Sequence, residues 1–253
     1  MSPELTRAIA ELVRTPVLLV AVDFDGVLAP IVSDPSLAAP LPESYDALVA
    51  LAALPSTSVT VVSGRALDDL AALSKLPPEI HLVGSHGAEF DHGFGDLLTP
   101  GRLELRSRLR RELGHLAAGA EGVLLEPKPA SVAVHVRNAP DSVATEILRA
   151  VMEGPGSWPG IQVTAGKKVL ELAVISASKG TALDVLRERL GATAVFFAGD
   201  DVTDEKAFAR LRKGDVGVKI GGGDTLAAYR LGTPEDMAAL LHHLVAERSP
   251  RPT

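Results

Sequence analysis

The chain contains no cysteine, which excludes disulfide bonds, zinc sites built on thiolates and cysteine nucleophiles. An excess of basic residues is also missing, because 25 Lys and Arg stand against 32 Asp and Glu and the net charge is −7. Proteins dedicated to binding nucleic acids or anionic membranes need a basic surface, so this charge argues against both functions. It still allows a local basic pocket for a phosphate group.

Long apolar runs are missing as well. The run over residues 17–22 is far too short to span a bilayer, and the segment Met1–Glu4 lacks the basic start of a signal peptide. We therefore expect a cytoplasmic protein. The 253 residues, 46% of them hydrophobic, are enough for one large domain or two small ones with a substantial core.

Predicted strands and helices alternate along most of the chain. This order predicts an α/β fold with a doubly wound, Rossmann-like parallel sheet and right-handed crossovers. The apolar, often Val-rich runs that predict its strands cover residues 17–22, 59–62, 80–83, 194–198 and 215–220, the last one in the chain. The helices predicted between them cover residues 44–54, 66–76 and 180–190.

The middle of the chain has a different pattern, α-β-β-α-β-β. Its strand at residues 131–137 alternates Val with Ala, His and Arg, as a strand exposed on one face does. We expect a small antiparallel sheet covered by two helices, which forms a smaller α+β domain over residues 100–175. This domain would be inserted between the two parts of the first one, residues 1–99 and 176–253. Its helices are predicted at residues 100–116 and 141–152, and its strands at 123–125, 131–137, 161–164 and 169–172.

Polar residues cluster where four of the predicted parallel strands end. The carboxyl ends of parallel strands meet at one edge of a sheet, where open α/β proteins bind their ligands. This shared location is stronger evidence for a functional site than any single motif. The clusters are Asp23 with Asp25, Ser63 with Arg65, residues 84–89, and Asp200 with Asp201, Asp204 and Glu205.

Asp23 and Asp25 directly follow the buried strand at 17–22. A buried carboxylate without a partner is costly, and Gly26 lets the backbone turn sharply or approach a ligand closely. The pair therefore indicates a functional site near the start of the chain. The alternative is an ordinary strand-to-loop turn, where Asp and Gly are common.

A metal ion is expected beside these acids, because two unit charges about 4 Å apart repel by ~4 kcal/mol at an effective dielectric constant of about 20. Hard oxygen ligands in a chain without cysteine favour Mg²⁺ over zinc or copper. The alternative for residues 199–205 is a strand-to-helix turn with Thr203 as its N-cap. The carboxylates that would converge are those of Asp23, Asp25, Asp200 and Asp204.

Lys179 is the candidate for balancing the charge of a bound phosphate. It follows Ser178, a predicted N-cap, and helix N-termini favour anions. A lysine at this place is unfavourable with the helix dipole, which argues against a purely stabilising role. The alternative is a solvated surface lysine.

Four motifs follow one another along the chain: Asp23-Phe24-Asp25-Gly26-Val27, Ser63-Gly64-Arg65, Lys179-Gly180 and residues 199–205. In their residues and their order they resemble the motifs of the haloacid dehalogenase-like phosphatases. More narrowly, the chain resembles the trehalose-6-phosphate phosphatases, through residues 84–89, 126–128, 135–137, 166–171 and 225–231. It departs from that pattern at Val27, Ser85, Ala173-Val174 and Ser178.

The resemblance implies an enzyme that hydrolyses trehalose 6-phosphate to trehalose and phosphate through an aspartyl-phosphate. Asp23 would be the nucleophile and Asp25 the acid and base, and Ser63 and Lys179 would hold the phosphoryl group. Mg²⁺ would be bound by Asp23, Asp200 and the backbone carbonyl of Asp25, with Asp204 steadying the shell. The residues implied to bind the substrate are Arg65, His86, Glu89, Glu126, Lys128, Arg137, Lys168 and Glu171.

The resemblance also implies a catalytic core at 1–99 and 176–253, a cap domain at 100–175, and a functional link to a trehalose-phosphate synthase. Two alternatives stay open. One is a phosphatase of another sugar phosphate, of the sucrose phosphate or mannosylglycerate phosphate type. The other is a non-catalytic module that binds a sugar phosphate. A non-catalytic module would tolerate the loss of the catalytic residues. The chain retains them, which favours an enzyme; they are Asp23, Asp25, Lys179 and Asp200.

Overall fold

The structure, a computed structural model, describes residues 1–91, 99–128, 130–166, 168–175 and 177–249. Its contacts divide the chain into two compact units: unit 1, residues 1–91 with 177–253, and unit 2, residues 92–176. The boundaries predicted from the sequence lay at 99/100 and 175/176, and the functions predicted for the two domains stay predictions. Among the helices of the described ranges, none is long and apolar enough to cross a membrane.

The elements follow one another in an order close to the predicted one. The strands are β1 (Leu18–Val22), β2 (Thr57–Val62), β3 (Ile80–Gly84), β4 (Glu89–Phe90), β5 (Leu124–Pro127), β6 (Ser131–His135), β7 (Gln162–Gly166), β8 (Val169–Ala173), β9 (Ala194–Gly199), β10 (Val216–Ile220) and β11 (Tyr229–Leu231). The helices are α1 (Pro3–Leu12), α2 (Pro42–Ala52), α3 (Leu67–Ser74), α4 (Pro100–Ala117), α5 (Asp141–Glu153), α6 (Lys179–Leu190), α7 (Glu205–Phe208) and α8 (Pro234–Arg248).

Unit 1 is built on a seven-stranded sheet in the order β11-β10-β9-β1-β2-β3-β4. All its pairings are parallel except that of β4 with β3. The predicted α/β fold is thus confirmed, with one correction. The strand predicted at 215–220 is not the last, because β11 pairs with β10. Strands of two or three residues such as β4 and β11 are too short to show a sequence period.

Both faces of the central strand β1 are covered, which explains its continuous apolar sequence. Leu18, Val20 and Val22 lie in the core cluster that also contains residues of α1, α2 and α8. Helix α6 contacts β1 and β2 as well. All five residues of β1 are buried. This packing fixes the carboxyl end of the strand and therefore the position of Asp23, which follows it.

Unit 2 contains a four-stranded antiparallel sheet in the order β5-β6-β8-β7, with the helices α4 and α5, as predicted. The expectation that β6 is exposed on one face needs a correction, because Ser131 and Ala133 are as buried as Val132 and Val134. The register places Ala133 between Glu126 and Glu171, whose longer side chains flank it.

Candidate active site

Three carboxylates meet at the carboxyl ends of the central strands of unit 1. Asp23 follows β1, Asp200 follows β9 and Asp204 directly precedes α7. One oxygen from each lies within 4.8 Å of the other two. Since β1 and β9 are neighbours in parallel register, their ends bring Asp23 and Asp200 together.

Lys179 lies against this cluster as its counter-charge. Its Nζ is 2.7 Å from Asp23 Oδ2 and 2.7 Å from Asp204 Oδ1. Only 2% of the residue is exposed, so the alternative of a solvated surface lysine is wrong. Ser178 caps α6 as predicted, in a reciprocal capping box with Thr181, and Lys179 is therefore the first residue of the helix.

The pKa values reflect a carboxylate cluster that one lysine does not fully compensate. Burial raises the pKa of Asp23 to about 8, although the charge of Lys179 lowers it, and the nearby Asp204 adds to the rise. Burial and the charge of Asp204 raise the pKa of Asp200 to about 6. Burial acts to lower the pKa of Lys179, but the charges of Asp23 and Asp204 outweigh it and hold that pKa above its usual value.

Asp204 orders the loop between β9 and α7. It is fully buried, and its Oδ2 accepts hydrogen bonds of 3.0 Å from the backbone N–H groups of Asp200 and Asp201. The alternative that made Thr203 an N-cap is wrong, because α7 begins at Glu205 with Asp204 at the N-cap position. The Asp204 carboxylate binds the loop and Lys179 instead of capping the helix.

Two glycines let these carboxylates lie close to the backbone. Gly26 has a φ of +74°, and a Cβ there would overlap the carboxylate of Asp200. A Cβ on Gly199 would overlap the carboxylate of Asp204. At Gly26 both the left-handed backbone and the close approach require glycine.

The Asp25 carboxylate has a different partner. Arg65 Nε and Nη2 donate to its two oxygens at 2.7 and 2.6 Å, and the guanidinium lies 5.6 Å from the centre of the Phe24 ring. Within the described residues, the group of acids that could share a metal ion is Asp23, Asp200 and Asp204. The prediction that Asp25 contributes to a metal site concerns its backbone carbonyl and stays a prediction.

A cavity of about 550 Å³ opens over the acids. It contains the acidic and basic groups together with an apolar wall from the loop after β1. Its lining in the described residues consists of Asp23, Asp25, Ile31, Val32, Pro35, Gly64, Arg65, His86, Lys179, Asp200, Asp201 and Thr203. A cavity with convergent charged groups and raised carboxyl pKa values is the arrangement expected of an active site.

Of the remaining predicted residues of unit 1, His86 lines this cavity, whereas Ser63 and Glu89 are not among the described residues that line it. Ser63 is buried, and its Oγ accepts a 3.2 Å hydrogen bond from the backbone N–H of Arg65. His86 has a left-handed backbone, with φ +56°, and its N–H donates to the Ser63 carbonyl. Glu89 is buried, and its Oε2 accepts from the Leu67 N–H at 2.7 Å. This contact orders the start of α3.

In unit 2, the register places Glu126, His135 and Glu171 on the same face of the sheet. Ser131 Oγ donates to Glu171 Oε1 at 2.7 Å, and Lys128 Nζ lies 3.5 Å from the same oxygen. The structure thus brings Lys128 and Glu171, two predicted sugar-binding residues, into one polar group.

A second cavity, of about 310 Å³, lies in unit 2 and is lined by two further predicted residues. Glu126 and Arg137 form part of its wall, where His135 Nε2 is 2.8 Å from Glu126 Oε2. Lys168 pairs with Asp141 at the start of α5, at 2.8 Å. Lys167, part of the motif quoted for this domain, lies outside the described residues.

Sequence reasoning missed Lys219. It lies in β10, is buried, and donates to the backbone carbonyl of Asp200 at 2.5 Å. A lysine within the apolar strand Val216–Ile220 is the signal that could have identified it, since strands of buried sheets seldom contain a charge.

The fold and the site define a class of protein. A Rossmann-like sheet with acids at the ends of its central strands, a buried lysine beside them and a separate α+β unit is typical of haloacid dehalogenase-like phosphatases. Within that class the chain belongs to the trehalose-phosphatase family, whose model matches residues 21–227.

Individual relatives agree with this family. The trehalose-phosphate phosphatase of Mycobacterium avium is 36% identical over 244 residues, which cover 88% of this chain and 60% of that protein. A bifunctional trehalose-6-phosphate synthase/phosphatase of Thermoproteus tenax is 34% identical over 232 residues, covering 89% of this chain and 32% of that protein. The chain therefore spans less than two thirds of either relative.

Among solved structures, the trehalose-6-phosphate phosphatase of Aspergillus fumigatus has the same fold, with a TM-score of 0.72 and 26% identity. That match covers 95% of this chain and 97% of the fungal chain. It includes both units of the present protein.

Proposed function

We propose that this protein is a Mg²⁺-dependent phosphatase that hydrolyses trehalose 6-phosphate to trehalose and inorganic phosphate. Membership of the trehalose-phosphatase family supports the substrate. The observation that carries the proposal is the buried Lys179, held 2.7 Å from Asp23 in the wall of an open cavity. A buried ion pair at a cavity is a poor way to gain stability but a suitable way to bind a phosphoryl group.

In the first step Asp23 attacks phosphorus. The bond between Asp23 and phosphorus forms while the bond from phosphorus to the sugar oxygen breaks, and Asp25 gives its proton to the departing oxygen. In the second step a water attacks the aspartyl-phosphate and loses a proton to Asp25. The bond between phosphorus and Asp23 then breaks, which restores both carboxyl groups.

Lys179 and Ser63 would hold the phosphoryl oxygens during both steps. Lys179 contributes the positive charge, and its position at the start of α6 adds the free N–H groups of a helix N-terminus. Arg65 must release Asp25 before that residue can act on a substrate, because both carboxylate oxygens are bound to the guanidinium.

The acids fit a divalent cation. Their ligand atoms are all carboxylate oxygens, and the raised pKa values of Asp23 and Asp200 indicate negative charge that a cation would compensate. Asp23, Asp200 and the backbone carbonyl of Asp25 would hold it, while Asp204 keeps the loop of Asp200 in place. When bound, Mg²⁺ would neutralise charge on the phosphoryl oxygens.

We assign recognition of the sugar to unit 2. Its support is the polar group of Lys128 and Glu171 and the cavity lined by Glu126 and Arg137. Such side chains can hydrogen-bond sugar hydroxyls. The substrate itself would be supplied by a trehalose-phosphate synthase, an activity that the Thermoproteus relative's name joins to a phosphatase.

Phosphate release from an aryl phosphate tests the core chemistry without the sugar. We expect hydrolysis in Mg²⁺ and none after chelation. Asp23→Asn should lower kcat by at least about 10⁴-fold, because it removes the nucleophile, while the exposed Asp46→Asn should behave as wild type. An Asp23→Asn protein that retains turnover would exclude Asp23 as the nucleophile.

A further inference from the structure

Lys219 is a buried cation that the proposed reaction leaves without a role. Only 4% of it is exposed, and the rest of β10 is Val, Gly and Ile. Burying an ammonium group costs several kcal/mol unless its charge is paired and its donors are bound. The contacts of its Nζ indicate what the buried charge does.

The register of the sheet places Lys219 opposite Gly199, the last residue of β9. Its Nζ donates to the carbonyl of Asp200 at 2.5 Å and lies 3.8 Å from Glu205 Oε1. The other oxygen of Glu205 accepts from the N–H of Leu226 at 2.7 Å. One cation therefore connects the end of β9, the start of α7 and the loop that precedes β11.

Side chains hold both backbone polar groups of Asp200. Its N–H donates to Asp204 Oδ2 at 3.0 Å, and its carbonyl accepts from Lys219. Asp200 lies just beyond β9, where the ladder of the sheet no longer orients the chain. The direction of the Asp200 carboxylate thus depends on Asp204, which holds the N–H of Asp200, and on Lys219, which holds its carbonyl.

The charges agree with this arrangement. Glu205 Oε1 is buried and accepts no hydrogen bond from the described residues, so the charge of Lys219 compensates it over 3.8 Å. The Nζ of Lys219 donates to the backbone of Asp200, and among the described residues Lys219 does not line the cavity, so we assign it a supporting role.

We propose that Lys219 is a positioning residue of the metal site, with Glu205 as its counter-charge. It fixes the backbone of Asp200 so that the Asp200 carboxylate is directed at Asp23 and Asp204. The inference rests on the proposed Mg²⁺-dependent function and adds residues that touch neither the substrate nor the metal. Loss of such a support weakens metal binding more than it slows the chemistry of the loaded enzyme.

The test is calorimetric titration of MgCl₂ into the wild type, Lys219→Met and Lys213→Met. Methionine fills the buried volume without the charge, and the exposed Lys213 is the matched control. For Lys219→Met we expect the Kd of Mg²⁺ to rise at least about tenfold. The Mg²⁺ concentration for half-maximal aryl phosphate hydrolysis should rise by the same factor, while kcat at saturating Mg²⁺ falls by less than about threefold. Lys213→Met should match the wild type.

Glu205→Gln is the second variant, used if Lys219→Met does not fold. It removes the counter-charge, and we expect a smaller rise in the Kd of Mg²⁺. A folded variant that binds Mg²⁺ as tightly as the wild type overturns the positioning role of Lys219 and leaves the proposed metal-dependent function standing. A wild type that neither binds nor requires Mg²⁺ overturns the proposed metal-dependent function, and this inference with it.

Discussion

At the scale of single residues, Asp200 carries an electrostatic cost that a cation would remove. Burial and the charge of Asp204 raise its pKa from 3.8 to about 6. The folded protein thus binds this proton more tightly than the unfolded chain does. Its contribution to stability is fully present below pH 3.8 and is lost as the pH rises through about 6.

Replacing Asp200 by Asn should therefore have opposite effects on stability and on metal binding. In the presence of a chelator at neutral pH, Asp200→Asn should stabilise the fold by about 1 kcal/mol, a value reduced for the partial exposure of the group. The variant should also lose the rise in Tm that Mg²⁺ gives the wild type. Thermal unfolding with and without Mg²⁺ measures both effects, with Asp46→Asn as the control. A variant that keeps the full Mg²⁺-dependent shift would contradict the assignment of Asp200 to the metal.

Residue types at strand ends predicted the acids, because parallel strands bring their carboxyl ends to one edge, and the start of a helix after Ser178 predicted Lys179. The sequence did not predict the partners of these residues. Whether Asp25 would pair with Arg65, or Glu89 with the Leu67 N–H, depends on side-chain directions that follow only from the packed fold. Lys219 was missed for the same reason, since its role depends on the register of β10 against β9.

At the scale of elements, the start of α6 decides where Lys179 lies. Ser178 and Thr181 bond reciprocally in a capping box, and Lys179 is the residue between the cap and the helix body. The cap therefore stabilises the helix and also holds Lys179, which we propose binds the phosphoryl group.

Ser178→Ala should lower stability by about 1 kcal/mol, because the Thr181 N–H loses its acceptor. It should also lower kcat for any phosphate ester, because the backbone next to Lys179 loosens. Thr233→Ala is the matched control, since Thr233 forms the same kind of capping box with Asp236 at α8. We expect both variants to lose the same stability and only Ser178→Ala to lose activity, a result that would support the role of the cap. Full activity in both variants would refute it.

Long elements were predicted more reliably than short ones. The apolar runs that became β1, β9 and β10 identified the sheet, whereas β4 and β11 contain too few residues to show a period. The start of α7 was placed one residue too early, because Thr203 is a favourable cap by type, but the adjacent Asp204 occupies the N-cap position.

At the scale of the whole molecule, we propose that the two units have different roles. Unit 1 contains the acids, Lys179 and the cavity in which we place the phosphoryl group, and unit 2 contains the polar side chains to which we assign the sugar. The alternation of strands and helices predicted unit 1, and the antiparallel pattern predicted unit 2. How the side chains of unit 2 pair could not be predicted, because it depends on the register between its strands.

This division predicts that a change in unit 2 acts selectively. Glu171→Ala should lower kcat/KM for trehalose 6-phosphate at least about tenfold, the size expected for a lost hydrogen bond to a substrate hydroxyl. It should leave hydrolysis of an aryl phosphate nearly unchanged. The exposed Glu146→Ala provides the control in the same unit. Equal losses with both substrates would argue against sugar recognition by Glu171.

The most direct test of the central claim is kcat/KM for phosphate release from trehalose 6-phosphate, glucose 6-phosphate and sucrose 6-phosphate in Mg²⁺. An enzyme that binds both sugar rings of trehalose should prefer trehalose 6-phosphate over the other two substrates by at least about 100-fold, because polar contacts are lost with the wrong substrate. Chelation and Asp23→Asn should abolish the activity. If trehalose 6-phosphate is hydrolysed no better than glucose 6-phosphate, the proposed substrate is wrong.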